Sequence, residues 1–198
     1  MDRITAFDLV IFLALLAMFV LGYAQGVIRR LLGIAAVVFA IVLGSYLRAP
    51  LGGYLANEWA NIDDTYSFMV AFGAVFLAAW IALSIGIQIT YRPAPLFQKY
   101  PVLDEILGGL LGVLEGFLII VAIILILDPY FTQPKVREEV GIGEFTLLRT
   151  LFEFLDKSLT ADILRHNVIP PILAVFGFLF PQDVRDAFRT ALGQLARR

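Results

Sequence analysis

Residues 9–28 contain no charged side chain. Wound as a helix at about 1.5 Å per residue, such a run is roughly 30 Å long, the thickness of a bilayer's hydrocarbon core. Comparable runs follow at residues 31–47, 66–90 and 106–127, the last interrupted only by Glu115. Hydrophobic residues make up 60% of the 198-residue chain and charged ones 16%, against about 25% charged in a soluble domain. The excess is concentrated in the long runs, so it matches the chain to lipid and does not simply enlarge a core. The pattern predicts an all-α integral membrane bundle of four transmembrane helices, the first over 7–26, with an amphipathic C-terminal extension. On this reading residues 1–130 form the spanning domain and residues 131–198 form interfacial helices.

The links between the runs carry the turn signals. Arg29 and Arg30 are the only charges between the first two spans, which implies either a tight hairpin or a second helix that starts within the interface. The second link, residues 48–65, opens with Ala49-Pro50-Leu51-Gly52-Gly53, and Tyr54, Trp59 and Tyr66 suit the headgroup region. Pro93, Pro95 and Pro101 prevent one continuous helix from the third span to the fourth. Asp128-Pro129 reads as the stop of the fourth. Beyond it, residues 145–159 place Leu148, Leu151, Phe152, Leu155 and Leu159 on one face of an amphipathic helix. Residues 168–180 are apolar but short, with Pro170-Pro171 near the start, as in an interfacial, re-entrant or buried segment. In residues 182–198, Val184, Phe188, Ala191, Leu192 and Leu195 share a face. The Gly22-Tyr23-Ala24 triplet has the form of a leader cleavage site, but Asp2 beside Arg3 and the length of the apolar run favour a retained span.

Basic residues set topology. Arg29, Arg30, Arg92 and Lys99 fall on one side of the four-span arrangement, and Arg3, Arg48, Lys135 and Arg137 on the other. The acid-free first hairpin is placed in the cytoplasm with Arg29 and Arg30 as topology-setting residues, which turns both termini outward; a cytoplasmic tail, which holds most of the basic residues, would require the reverse orientation or an odd number of spans.

Several classes of chemistry are excluded. The absence of cysteine removes disulfides, thiolate catalysis and cysteine metal sites. A single histidine, His166, removes multi-histidine sites. A net charge of −2 makes no electrostatic case for a nucleic-acid partner. No catalytic residue, metal or cofactor is expected. The expected partners are membrane lipids and either further copies of the chain or other membrane proteins.

What remains is packing and one buried acid. Gly108, Gly112 and Gly116 form a small-xxx-small row on the fourth span, and Gly22 with Gly26 repeats the spacing at the end of the first. In lipid such rows let helix backbones approach closely, most simply within one bundle. Glu115 lies about 15 Å along the helix from Asp104, close to mid-depth, where an ionised carboxylate needs protein, water or a partner. It is a candidate intramembrane polar site, with Ser84 and Gln88 on the third span as further polar groups. The alternative to a proton or cation site is packing glue or a shallow acid reaching the headgroups.

Three blocks together resemble the colicin V production protein family, the CvpA-like membrane proteins. They are Asp8-Leu9-Val10 opening the first span, the hairpin from Gly22-Tyr23-Ala24-Gln25-Gly26 through Arg29-Arg30-Leu31-Leu32, and Leu103-Asp104-Glu105-Ile106-Leu107-Gly108-Gly109 running on to Gly112 and Glu115-Gly116. The match covers roughly residues 5–160. The chain departs from the family in having Ala24 and Gln25 between the hairpin glycines, where basic residues are common, and Glu115 where arginine is common. The resemblance implies a non-enzymatic bacterial inner-membrane protein that supports colicin V or toxin production or export and envelope homeostasis. It supplies no catalytic residues. The rival reading is a small ion or solute channel that uses Glu115.

Overall fold

The computed structural model describes residues 5–58, 63–91, 96, 101–138 and 145–195. Trp59, Arg92, Pro93, Pro95, Lys99 and Arg3 lie outside the described residues. The described residues are almost wholly helical. Helices α1 (Ala6–Gln25), α2 (Val27–Glu58), α3 (Asp64–Thr90) and α4 (Pro101–Phe131) form the bundle. Helices α5 (Pro134–Glu138), α6 (Thr146–Asp156), α7 (Leu159–Ile163), α8 (Ile169–Phe176) and α9 (Gln182–Leu195) follow.

Sequence neighbours run antiparallel. The α1–α2 turn is a single residue, Gly26, at φ 76°, a conformation glycine adopts without the steric cost of a Cβ. The N–H of Gly26 donates to the carbonyl of Gly22 at 3.0 Å, closing α1. Gly22, Met18 and Leu15 of α1 meet Gly108, Gly112 and Gly116 of α4 in reverse order. Gly44 and Gly52 of α2 meet Phe72 and Phe68 of α3 in the same way. The bundle therefore has two ends. One carries the α1–α2 turn and the start of α4. The other carries the start of α1, the ends of α2 and α4, the start of α3 and most of the C-terminal helices. The core is densest along the second half of α4, where Ile124, Leu125, Leu127, Tyr130 and Phe131 are buried with Phe72, Phe76 and Tyr66 of α3.

Two boundaries differ from the sequence reading. Helix α2 does not stop near residue 47 but continues through Pro50 to Glu58. Pro50 is exposed, and the paired α2–α3 surface outweighs the hydrogen bond it forfeits. Nor do Asp128 and Pro129 end α4, which runs on to Phe131. There the terminal carbonyls are satisfied by side chains: Thr132 Oγ donates to Asp128 O at 2.6 Å and Gln133 Nε2 to Pro129 O at 3.0 Å. The prolines before α4 act as expected, with α3 closing at Thr90 and Pro101 opening α4. Proline is well placed there, because a first-turn residue needs no N–H bond.

Five stretches, not four, are long and apolar enough to cross a membrane, the additional one being Leu159–Leu179. Its helix changes winding three times, through a π-turn at Leu164–Val168, α8, and a 3₁₀ turn at Gly177–Leu179. Pro170 and Pro171 donate no N–H, and their rings crowd the carbonyls four residues back, so the widened π-turn lets the chain pass them. The segment leaves the second end of the bundle and runs down beside it. Ile172, Phe176 and Leu179 face Val38 and Ile41 of α2 and Leu114 and Leu118 of α4 across an apolar cavity of 320 Å³. Pro181 reverses the chain, and α9 returns to the second end. Its Val184, Phe188 and Ala191 are buried, the face read from the sequence. Phe152 and Leu155 of α6 are buried likewise.

Candidate functional site: buried charges at helix crossings

The charges inside the bundle are brought together in pairs. Arg30 does not sit in a loop but in the first turns of α2, turned inward. Its Nη1 donates to Glu115 Oε2 at 2.6 Å, and the two side chains are 7% and 8% exposed. Room for the carboxylate comes from Gly33, one turn beyond Arg30, where a Cβ would lie 2.6 Å from Glu115 Oε1. Ion pairing at this depth removes most of the cost of holding either charge in lipid. Arg30 Nε is buried without an acceptor, so the pair is held by one short bond rather than by a two-pronged fork.

The glycine row builds the floor of this site. A Cβ on Gly22 would overlap the carbonyl oxygen of Gly108, and one on Gly112 would overlap that of Met18. The backbones of α1 and α4 therefore touch, with no space for any side chain between them. Gly116 instead faces the Leu15 side chain, where a Cβ would be 2.8 Å from Cδ2. Gly26 lies against Asp104, a buried acid whose Oδ1 accepts from the N–H of Leu96 at 3.0 Å. Ser84 is half-buried and Gln88 is exposed on α3. Arg29, beside Arg30, is half-buried.

A second set of charges lies at the other end. Asp128, wholly buried, accepts two bonds from Arg165, from Nε at 2.8 Å and from Nη2 at 2.7 Å. Arg165 Nη1 also lies 3.6 Å from Asp156, and its guanidinium covers the Phe152 ring. Asp8, also buried, completes a reciprocal cap with Thr5 at the start of α1. The same carboxylate accepts from Ser158 Oγ at 2.6 Å and from the N–H and hydroxyl of Thr160, each at 2.9 Å. One acid thus caps both α1 and α7. The N–H of Phe145 donates to Tyr66 Oη at 2.7 Å, tying the start of α6 to α3. Tyr66 is buried at the start of α3.

These placements show what one-dimensional reading missed. Asp128 is a buried ion-pair partner, not a helix stop, and Asp8 is a latch between distant helices. Each could have been suspected from a lone acid at the end of an apolar run, but the partners, Arg165 and Ser158–Thr160, lie 37 and 150 residues away or more. His166 is exposed, with Nδ1 3.1 Å from the carbonyl of Asp162. Among the described residues, no three His, Asp or Glu side chains gather into a metal site.

The fold and its internal pairs define a multi-pass helical membrane protein. Within that class, a family model described as Colicin V production protein matches residues 7–167, and the chain belongs to this family. No curated protein and no solved structure matches it.

Proposed function

We propose that this chain is a non-enzymatic bacterial inner-membrane protein that supports colicin V or toxin production or export and envelope homeostasis. Membership of the colicin V production family supports this reading. The observation that carries it over the channel alternative is the Arg30–Glu115 pair. An acid that shuttles protons or cations needs water access and a counter-charge that can leave. Glu115 is instead clamped at 2.6 Å by a cation on the neighbouring helix, and both are shielded.

The experiment pairs two measurements. Purified protein in vesicles is assayed for proton and cation flux, and a strain lacking the gene is assayed for secreted toxin. The expected result is no flux above empty vesicles and a loss of secretion, restored by the wild-type chain and by Glu115→Gln. Flux abolished by Glu115→Gln would establish the channel reading instead.

A further inference from the structure

At the second end of the bundle, a cavity of 340 Å³ opens between α2, α3, α4 and α9. Its mouth carries Arg48, Lys135 and Thr65, and its floor is Met69, Phe72 and Ile126. Arg48 stands roughly 31 Å along α2 from the helix start, a full hydrocarbon thickness away from the α1–α2 turn. The cationic mouth is therefore at headgroup level, while the apolar floor faces the bilayer interior.

The cations at this mouth are incompletely matched. The Arg48 side chain is 13% exposed, and its Nε lies 3.2 Å from Asp183 Oδ2 of α9. That contact is not aligned for a hydrogen bond, and Nε is buried without an acceptor. Lys135 is exposed and has no ion-pair partner among the described residues. Of the neighbouring acids, Asp63 is engaged in capping α3, accepting from the N–H groups of Thr65 and Tyr66. Asp183 is half-exposed and is the group an incoming anion would displace.

We propose that this cavity binds the acidic headgroup of a membrane phospholipid, with the phosphate between Arg48 and Lys135 and the first acyl carbons over Phe72 and Ile126. Basic residues at the interface attract acidic headgroups, and the join of a cationic mouth to an apolar floor selects an amphiphile over a free anion. Asp183 occupies the phosphate position when lipid is absent, and α9, whose Thr190 and Ala191 form one wall, closes over the bound headgroup.

Native mass spectrometry of the full chain, released from mixed phosphatidylglycerol and phosphatidylcholine into mild detergent, tests this. Phosphatidylglycerol is expected to be retained in preference to phosphatidylcholine. Lys135→Gln and Arg48→Gln should each lower its retention about fivefold, the effect of removing one interfacial charge. Asp183→Asn should raise it, because a competing anion is gone. Lys135 is exposed and has no ion-pair partner among the described residues, so its variant reports on binding even if Arg48→Gln fails to fold. Equal retention of the two lipids would overturn the proposal, as would an unchanged Lys135→Gln or a weakened Asp183→Asn. Full competition by millimolar inorganic phosphate would overturn it too, by making a soluble anion the ligand.

Discussion

Removing one partner of the Arg30–Glu115 pair should cost far more than removing both. The two side chains are 7% and 8% exposed and joined at 2.6 Å, so Arg30→Leu strands a carboxylate and Glu115→Leu strands a guanidinium. Breaking a buried pair from one side costs about 3–5 kcal/mol, which is about two to nearly four orders of magnitude in the unfolding equilibrium. The double variant Arg30→Leu/Glu115→Leu leaves no unpaired charge, and leucine suits the apolar surroundings. It should lie within about 1.5 kcal/mol of wild type. Glu115→Gln should fall between, because the amide oxygen can still accept from Arg30. Reversible unfolding of the purified chain in mixed micelles, followed by helical circular dichroism, gives the four stabilities needed for a double-mutant cycle. The physical account predicts a coupling above about 2 kcal/mol, well beyond the roughly 0.5 kcal/mol scatter of independent sites. Single variants each costing under about 1 kcal/mol and adding in the double would refute it, and would mean that water or lipid headgroups reach Glu115 after all.

Four further outcomes follow from the same geometry. Gly112→Leu should unfold or aggregate the bundle where Leu110→Ala is nearly silent, because residue 112 abuts the Met18 backbone while Leu110 is 55% exposed toward lipid; detergent thermal melts compare the two. Arg165→Met should loosen the descending segment by stranding buried Asp128, at a cost of about 3–5 kcal/mol, read as faster hydrogen exchange in Leu159–Leu179 than in α3; equal exchange in wild type and variant would show the pair is not a latch. Single cysteines at Glu58 and Lys135 should label from one side of the membrane and those at Thr90 and Val102 from the other, in a background with no native cysteine; any mixed pattern would dismantle the four-helix order. Deleting Gln182 to Arg198 should leave those labelling sides unchanged while lowering the melting temperature, since α9 buries Val184 and Phe188 at the bundle's edge.

The first four helices were legible in the chain because their signal is local. A run of apolar residues long enough to match a bilayer needs no knowledge of its neighbours, and residues 9–28 declare themselves by composition alone. Small-residue spacing works similarly: Gly22, Gly108 and Gly112 are read as a crossing because only a missing side chain permits that approach. The helix ends were less legible. Pro50 and Asp128-Pro129 carry every local sign of a stop, yet α2 and α4 run through them, since packing and the Asp128–Arg165 bonds outweigh one lost backbone bond. The descending segment at Leu159–Leu179 was obscured by Arg165 and two prolines, whose polarity and helix breaking are resolved by a buried acid and a π-turn. Which charge answers which was beyond the chain's one-dimensional pattern altogether. Arg30 could be a topology marker or a buried partner, and Glu115 a lipid-facing liability or half of a pair. That choice is made by the crossing of α2 and α4, because attraction between charges falls with distance in space and is blind to their separation along the sequence.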